Sequence, residues 1–577
     1  MKTAGTSNRS GRTWVWILIA LLAIGNLFAG LGRVPFIDRD EGEYATVAQE
    51  MIQRSDYIIP HVNGRPYYEK PALFFWLMAA SFKTLGQSEE AGRLPSALSG
   101  LALALVLGWF GRRRGGELLG FLSALMTLTC FLIVLLARVA LLDMLLTLWT
   151  TLTLVLFFEG YQAPKGRDRW YFLGAWTAMG LAFLTKGPVG AAVPLLAVFF
   201  LTVLNRNLVS TLRRAQIPLG LLIFLAVAGP WYLSAFIREG RNFWEGFFIS
   251  QNVTRFTEVL LGHGAPLWFY LPILAFLVWP WSFFACPAMW RGLSGLGRER
   301  NRPNGASLDF FLAIWFISVF LLFSAAATKQ PNYILPAVPP LILLAARWWH
   351  DFLASDRPKT GAVQAVMALT GLVGLGLAGV FFGFNYFLSI AVERARAGVN
   401  PDSFEYAFPA LGPDMGQGPL IVGLLIAVTA MAAMISGLGR RPRAAMTMLA
   451  LSGTVFIGGM WHVAAPKGLD YLQTPARELA FMVKEADPPE GRLAAFGLYK
   501  PSLWFYTGSH IERIRSKDIK RLAGFLSDRD RVFVLSRLSL LPILKARNNF
   551  HLLEVKGGYV LGDNQARPAH TVRGEAE

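Results

Sequence analysis

Residues 38–71 read DRDEGEYATVAQEMIQRSDYIIPHVNGRPYYEKP, and this stretch decides how the rest of the chain is interpreted. It follows the first long apolar run, Trp14–Leu31, and concentrates carboxylates, arginines and tyrosines in a chain that is otherwise largely apolar. Charged groups beside a bilayer are costly to hold in place and commonly mark a functional site. The stretch is therefore a candidate active loop at the mouth of a membrane protein.

The composition excludes a soluble globular protein. The chain has 577 residues, of which 54% are hydrophobic, with a mean hydropathy of +0.43 and a net charge of +18. Its basic residues cluster in short loops between apolar runs, as positive-inside topology requires, so the charge does not indicate nucleic-acid binding. Cys130 and Cys286 lie inside apolar runs, where neither predicts a metal cluster or a disulfide outside the membrane.

The charge distribution sets the number of membrane spans. Hydropathy alone gives about 14 apolar segments, including a short one at 72–85 that carries Lys83 near its end. With the N-terminus inside, the basic clusters all fall on the cytoplasmic side only if that segment lies in the outer interface instead of crossing. These clusters are Arg112–Arg114, Lys165–Arg169, Arg206–Arg214, Arg291–Arg302, Arg357–Lys359 and Arg440–Arg443. About 13 spans result, at 14–31, 93–110, 117–136, 142–159, 170–185, 188–204, 215–236, 267–290, 309–327, 333–350, 362–388, 419–437 and 445–462.

The odd number of spans places the C-terminal tail outside. Strand-like runs at Leu493–Leu498, Arg531–Leu535 and Tyr559–Leu561, with a helical stretch at Lys517–Leu526, predict a small α/β domain there. The predicted fold is an all-α polytopic membrane protein with interfacial helices in the first outer loop and this α/β domain at its C-terminus. The predicted parts are a membrane domain at 1–465, which includes the first loop at 32–92, and the outer domain at 466–577.

The same topology brings polar residues from several loops to the outer face. They are Asp40, Glu41, Tyr44, Tyr68, Glu69 and Lys70 in the first loop, Asp143 in the second, Lys186 in the third, Arg255 in the fourth, and Lys329 and Tyr333 in the fifth. The inner loops are basic but lack this mixture of carboxylates, cations and aromatic rings. The candidate site therefore lies on the outer face.

Asp40 and Glu41 are candidate catalytic carboxylates, and Asp40 has a structural alternative. The apolar spacing from Glu43 to Ile52 predicts a helix. Asp40 and Glu43 then form a capping-box pattern, in which Asp40 would serve only as a helix cap. The adjacent Glu41 and the outer position favour chemistry to a similar degree, so the sequence leaves both interpretations open.

Asp143 lies at the outer start of a span, in ARVALLDML. A carboxylate at membrane depth usually faces a cavity, which favours a functional role. Arg138, five residues earlier, is the obvious candidate partner, and a plain Arg–Asp pair at the interface is the structural alternative. Lys186, in TKGP, and Lys329 are further candidate pocket residues, but each would equally face a lipid headgroup or merely mark the end of a span.

Three outer residues have the chemistry of a phosphate site. Lys70 is a compact cation, Arg255 in QNVTRF is a forked donor, and Tyr333 in KQPNY is a hydroxyl donor. Each also has a structural alternative: a surface pair between Lys70 and Glu69, snorkelling of Arg255 to headgroups, and an interfacial ring for Tyr333. Sequence patterns alone do not bring the three together.

These segments together resemble the integral-membrane glycosyltransferases of the C superfamily, above all the aminoarabinose transferases of lipid A, with the protein O-mannosyltransferases as relatives. The matching segments, in order, are DEGEYA, DYIIPHVNGRPYYEKP, GRLPSAL, LLD, TKGP, RNFWEGFF with TRF, HGAPLWFYLP and KQPNYILP. They cover most of the membrane part, whereas the tail shows only weak similarity. The resemblance implies a bacterial inner-membrane protein whose active site faces the periplasm.

The resemblance also implies a role for each matching residue. Asp40 matches the catalytic carboxylate, Asp143 a second carboxylate near the acceptor, Lys70, Arg255 and Tyr333 the residues that hold the phosphate of the carrier lipid, and Glu69 an adjacent pocket residue.

The chain departs from the family at the zinc site. Gln251 and Asn252 stand where aminoarabinose transferases have Glu-His, and that histidine joins the residue matching Glu69 in binding zinc. Without the histidine, Glu69 is the one ligand left for a divalent metal, so we predict that no cofactor is required.

The implied reaction is transfer of a sugar from polyprenyl (undecaprenyl) phosphate to lipid A or another glycolipid. Lys70, Arg255 and Tyr333 would stabilise the departing phosphate, and Asp40 would take the proton of an acceptor hydroxyl while Asp143 orients the acceptor. A lipid phosphate acceptor is already anionic, and the carboxylates would then position it or tune its charge. Direct displacement would invert the anomeric centre, and a covalent intermediate on a carboxylate is the alternative.

Other functions remain as alternatives. Protein hydroxyls are a second acceptor class, as in the mannosyltransferases. A lipid or sugar-lipid transporter or flippase would use the outer carboxylates for coupling, but the sequence shows neither an inverted repeat nor charges at mid-membrane. A structural assembly protein would leave the charged outer loops unexplained.

Overall fold

The computed structural model of the protein describes residues 7–254, 257–258, 264–299, 306–354, 360–397, 415–486 and 492–565. The first part of the chain contains helices α1 (Ser7–Ala23), α2 (Asp40–Arg54), α3 (Leu73–Leu85), α4 (Glu89–Leu128), α5 (Phe131–Ala137), α6 (Asp143–Gln162), α7 (Arg169–Lys186), α8 (Pro188–Leu204), α9 (Leu208–Arg214), α10 (Ile217–Glu239) and α11 (Arg241–Phe243), with π-helices at Ile24–Phe28 and Trp244–Thr254. The later helices lie at Tyr270–Leu277, Ala285–Ser294, Leu296–Glu299, Leu308–Ala325, Val338–Ala354, Thr360–Phe382, Phe384–Ala397, Gly418–Leu438, Pro442–Gly459, Ala465–Leu472 and Thr474–Ala486.

Most predicted spans correspond to helices, but the predicted number of thirteen is not confirmed. Within the described residues, seven helices are long and apolar enough to cross a membrane, or up to eight if one bent pair forms a single span. That pair, Tyr270–Leu277 and Ser282–Ser294, is bent by 110°, so the predicted span 267–290 is broken. The predicted span 117–136 is likewise divided, because α4 ends at Leu128 and α5 begins at Phe131.

The first loop folds into a compact unit of two helices and a hairpin. In the hairpin, β1 (His61–Val62) pairs with β2 (Arg65–Pro66), and both residues between the strands have positive φ, as an Asn-Gly turn allows. Helix α3 packs on α2 through edge-on contacts of Phe74 and Phe75 with the ring of Tyr44. The predicted apolar segment 72–85 is therefore a helix, and its position in the outer interface stays a prediction.

The C-terminal domain is a mixed five-stranded sheet with helices, as the α/β prediction requires. Its strands are β3 (Arg492–Phe496), β4 (Ile511–Ile514), β5 (Val532–Arg537), β6 (His551–Lys556) and β7 (Tyr559–Asp563), in the order β4-β3-β5-β7-β6. Strand β3 runs parallel to β4 and β5, whereas β7 is antiparallel to β5 and β6. The helices within the domain lie at Ser502–Thr507, Ile519–Leu526 and Leu541–Lys545.

The sheet domain and the first loop share one apolar core. Buried Phe36 and Met51 from the first loop belong to the same cluster as Leu479, Phe505 and Phe533 from the C-terminal part. The ring of Phe36 contacts Phe505 edge-on, with centroids 5.0 Å apart. Because apolar burial is the main driving force for association, the C-terminal domain holds the first loop in place.

Candidate active site

The buried Asp143 and the partly exposed Lys186 form an ion pair at the ends of two neighbouring helices. Asp143 is the first residue of α6 and Lys186 the last of α7, which ends there because Gly187 has φ +73° and Pro188 begins α8. Lys186 Nζ lies 2.5 Å from Asp143 Oδ1. Asn332 donates a hydrogen bond of 3.0 Å to the other carboxylate oxygen. Both oxygens of Asp143 are therefore held in fixed positions.

The predicted partner of Asp143 was wrong. Arg138 ends helix α5 and donates to the backbone carbonyls of Asn26 and Ala29, and its guanidinium lies 4.5 Å from the ring of Trp461. These contacts fix the buried Arg138 in the packing between α5 and the N-terminal helix. Lys186, the last residue of α7, takes the place that the sequence assigned to Arg138.

Asp40 does not cap its helix. Arg39 occupies the N-cap position of α2 without a side-chain capping bond, and Asp40 is the first helical residue, so the capping interpretation is wrong. The Asp40 side chain is exposed by surface area, yet the pKa of its carboxyl is raised, mainly because surrounding protein displaces water. Lys70 opposes this rise in pKa and Asp143 adds to it. Asp40 thus lies within electrostatic range of both Lys70 and Asp143.

Glu41 has a structural role, contrary to its prediction as a catalytic residue. Its carboxylate is 1% exposed and pairs with the fully buried Arg93, whose Nε and Nη2 donate at 2.9 and 2.8 Å. The backbone N–H groups of Ile37 and Ala140 donate to the same two oxygens at 2.7 and 2.6 Å. All four bonds saturate Glu41, which leaves its carboxylate no lone pair directed at a substrate.

Glu43 is a buried acid, although its place in the sequence predicted only part of a capping box. It is 6% exposed, and burial, reinforced by nearby Glu69, raises the pKa of its carboxyl to about 8. The nearby Arg39 opposes this rise. Glu43 follows Asp40 by three positions, which places the two residues on one helix face. This spacing is the sequence feature that could have identified Glu43 as a neighbour of Asp40. Near neutral pH, Glu43 therefore carries a proton beside the exposed Asp40.

A cavity of about 300 Å³ lies next to the Asp143–Lys186 pair. Its lining residues are Glu69, Lys70, Lys186, Pro188, Val189, Ala192, Gln251, Asn252, Leu322, Phe323, Ala326, Thr328 and Tyr333. Aliphatic and aromatic side chains make up the apolar wall of the cavity, whereas the polar wall combines two lysines, two amides and a phenol with the carboxylate of Glu69 and the hydroxyl of Thr328. Such a cavity can hold a ligand with an apolar part and a polar part.

Two of the three residues predicted to bind a phosphate line the cavity. Lys70 and Tyr333 both line it, and Lys186 Nζ lies 4.6 Å from the centroid of the Tyr333 ring. Lys70 Nζ is 3.9 Å from Glu69 Oε2, so Lys70 is only loosely paired with its neighbour there. The third predicted residue, Arg255, lies outside the described residues.

The other predicted pocket residues divide into two groups. Glu69 and Lys186 line the cavity, as predicted. Tyr44, Tyr68 and Lys329 are not part of its lining. Tyr44 lies in the core on Phe74 and Phe75, Tyr68 donates at 2.5 Å to Glu239, and the buried Lys329 donates at 2.6 Å to the carbonyl of Ala326.

The donor set around Glu69 fits a metal poorly. Gln251 and Asn252 line the same cavity as Glu69, and the Asn252 amide donates to the carbonyl of Phe247 at 2.7 Å. One carboxylate with side-chain amides lacks the imidazole or thiolate ligands typical of zinc. Within the described residues, no group of three His, Cys, Asp or Glu side chains could hold a metal ion. The absence of a required cofactor stays a prediction.

Comparisons with known proteins agree with this architecture. Residues 69–233 match the family described as dolichyl-phosphate-mannose-protein mannosyltransferase. The undecaprenyl phosphate-alpha-4-amino-4-deoxy-L-arabinose arabinosyl transferase of Serratia proteamaculans is 32% identical over 375 residues, and the match covers 63% of each chain. The enzyme of that name from Pectobacterium carotovorum is 33% identical over 410 residues, which cover 64% of this chain and 71% of the relative.

The fold also matches a solved structure along nearly its whole length. ArnT from Cupriavidus metallidurans, bound to undecaprenyl phosphate, superposes with a TM-score of 0.77 at 22% identity, covering 96% of this chain and 98% of that one. The superposition includes the tail, where the sequence resemblance was weak. This agreement establishes the overall fold of a multi-helix membrane protein with a C-terminal sheet domain.

Proposed function

The chain belongs to the family of the undecaprenyl phosphate-aminoarabinose arabinosyl transferases, and from this premise we propose that it transfers a sugar from a polyprenyl phosphate to a lipid acceptor. The observation that carries the proposal is the position of the cavity, whose phosphate-binding side chains lie beside the Asp143–Lys186 pair and near Asp40. Undecaprenyl phosphate is the proposed carrier, and lipid A or another glycolipid is the proposed acceptor.

The apolar wall suits the carrier lipid and the polar wall suits its phosphate. Lys70 supplies a buried ammonium, Tyr333 a phenol, and Lys186 a second ammonium shared with Asp143. Negative charge accumulates on the phosphate as the glycosidic bond breaks. Donors fixed in advance around that position stabilise the charge without reorganisation. These residues therefore make the phosphate a good leaving group.

Asp40 is the proposed base for an acceptor hydroxyl. Its raised pKa makes it a stronger base than an ordinary aspartate, and its exposed carboxylate has room for a substrate. The acceptor oxygen attacks the anomeric carbon, its proton passes to Asp40, and the bonding pair leaves with the phosphate. Asp143, whose two oxygens are held by Lys186 and Asn332, orients the reacting groups. A single displacement of this kind inverts the anomeric centre.

The proposed location is the bacterial inner membrane, with the site and the sheet domain on the periplasmic side. The chain is an integral membrane protein, with at least seven helices in its described part that are long and apolar enough to cross a membrane. Basic residues between the apolar runs support the orientation, because positive loops favour the cytoplasmic side. An acceptor on the periplasmic face would then meet Asp40 directly.

The test is transfer by the purified chain in detergent. The protein is incubated with labelled polyprenyl-phosphate aminoarabinose and either lipid A or a hydroxyl-rich peptide. We expect labelled lipid A, and a loss of about 100-fold or more in the Asp40→Asn variant. Glu90→Gln, at an exposed carboxylate of the same loop, is the matched control. Label on the peptide alone would favour protein glycosylation, and no transfer from a bound donor to either acceptor would overturn the proposal.

A further inference from the structure

We propose that Tyr499–Ser502, a segment of the C-terminal domain, is a latch that sets the position of Asp40, with Lys500 and Ser502 as positioning residues for the transfer reaction. The inference rests on the proposed function, because Asp40 is the base in that reaction. It gives the C-terminal domain a part in catalysis, although none of the domain's described residues lines the cavity beside Lys186, which we call the donor cavity.

The first contact of the latch is with Asp38, two residues before Asp40. Lys500 Nζ lies 2.9 Å from Asp38 Oδ2, and both side chains are fully buried. The backbone N–H of Ser502 donates to Asp38 Oδ1 and its hydroxyl donates to Oδ2, each at 2.7 Å. Three donors from one short segment thus fix the carboxylate of Asp38, and charge-assisted bonds of this kind have narrow geometry.

The second contact is with Gly42, two residues after Asp40. A Cβ atom on Gly42 would lie 2.5 Å from the backbone nitrogen of Ser502 and 2.6 Å from its Cα. Only glycine permits this approach, so the first turn of α2 lies directly on the backbone of the latch. Between the two contacts, the guanidinium of Arg39 lies 5.3 Å from the centroid of the Tyr499 ring.

Asp40 is therefore bracketed by residues that the latch holds on both sides, while its own side chain stays exposed. A buried ion pair contributes little net stability, because desolvation of both charges offsets their attraction. Its effect here is geometric, since it fixes the backbone that carries the base. Misplacement of a reacting group by about 1 Å can cost about 100-fold in rate, so such a constraint has catalytic consequences.

The competing explanation is that these contacts merely dock the domain. A second set of docking contacts allows the two to be separated. The Asn63 amide donates to the carbonyl of Ile511 and accepts from its N–H, both at 2.9 Å, at the hairpin of the first loop and away from the first turn of α2. Asn63→Ala removes docking bonds without altering the latch, and is the matched control.

The test compares three variants with this control. They are Gly42→Ala, Lys500→Arg, and the double variant Asp38→Asn with Lys500→Gln, which leaves no unpaired buried charge. We expect each folded latch variant to keep its affinity for polyprenyl phosphate within about twofold while kcat falls by about 10- to 100-fold. Asn63→Ala should keep kcat within about twofold of the wild-type value, even where it lowers the melting temperature as much as the latch variants do. If the double variant does not fold, Lys500→Arg and Gly42→Ala decide the outcome.

A second measurement does not depend on sugar transfer. Asp40→Cys in a Cys286→Ser background is labelled with a polar maleimide, with and without each latch substitution. We expect the labelling rate to change by about tenfold in the latch variants and to stay unchanged with Asn63→Ala, because thiol reactivity follows exposure and environment. If the wild-type protein transfers no sugar, the proposed function fails, and the labelling rates alone then test the latch. The latch proposal would be overturned if the latch substitutions and Asn63→Ala changed kcat and the labelling rate equally.

Discussion

Lys186 Nζ donates to Asp143 Oδ1 at 2.5 Å, and this pair joins the ends of two helices at the rim of the donor cavity. The same ammonium lies over the ring of Tyr333, so one cation contacts both the carboxylate and a proposed phosphate ligand. Neutralising it leaves Asp143 buried without its counter-charge. In the proposed reaction, the pair would therefore link the orientation of the acceptor with the binding of the leaving phosphate.

Lys186→Met should abolish most transfer. We expect kcat to fall by about 100-fold, because the variant removes a fixed charge next to the departing phosphate. Lys186→Arg should restore part of the rate by keeping the charge. The measurement is kcat and KM with saturating acceptor, and Lys83→Met, at an exposed lysine on α3, serves as the control. Wild-type kcat in a folded Lys186→Met protein would contradict the proposed role.

Glu41→Gln should affect stability and not chemistry. Breaking a buried ion pair by removing one charge costs about 3–5 kcal/mol, because the remaining Arg93 is left buried and uncompensated. We expect a lower melting temperature in detergent and a normal kcat per folded molecule. Glu245→Gln breaks an exposed pair with Arg241 and should leave the melting temperature unchanged. A folded, stable Glu41→Gln protein without activity would restore Glu41 to the catalytic residues.

Asp40 and Glu41 are adjacent acidic residues whose different environments the sequence did not predict. Adjacent helix residues point about 100° apart, so one can face a cavity while the other enters the core. The sequence identified Asp40 and Glu41 as a pair of acidic residues but not which of them is buried. The reason is that the partner of Glu41, Arg93, lies 52 positions later in the chain. Asp143 illustrates the same limit, since the nearby Arg138 was the predicted partner and the distant Lys186 is the observed one.

Helix positions were easier to predict than breaks and polar strands. The predicted span at 188–204 coincides with α8, which begins with a proline after a positive-φ glycine. The span at 267–290 was predicted as continuous, because hydropathy carries no information about a bend of 110°. Strands β4 and β6 were missed because the runs IERI and HLLEVK place charges among their apolar residues.

The stability of the protein should fall as pH rises, in part through Glu43. Its pKa is about 8 in the folded protein, against 4.5 when unperturbed, so the folded state binds more protons between these values. By linkage, the free energy of unfolding therefore decreases as pH rises from about 4.5 to about 8. Below this range Glu43 is protonated in both the folded and the unfolded state and adds no pH dependence. We expect a higher melting temperature at pH 5 than at pH 8.5. In Glu43→Gln this difference should shrink, and an identical pH dependence in both proteins would exclude the buried acid as its source.

Substitution of Lys70 and Tyr333 should weaken binding of the carrier lipid, whatever sugar it carries. A hydrogen bond to a charged group contributes about 1.5–3 kcal/mol, which corresponds to about 10- to 100-fold in Kd for Lys70→Ala. Tyr333→Phe removes an uncharged donor to the same charged phosphate and should cost about 10-fold, the lower end of this range. The Kd of a sugar-free, short-chain polyprenyl phosphate for each purified variant measures both effects, with Lys83→Ala as the control.

Because the apolar wall remains intact, affinity for the matching polyprenol should not change in either variant. If Lys70→Ala instead weakened phosphate and alcohol equally, the cavity would bind the lipid through its chain, and the phosphate would lie elsewhere.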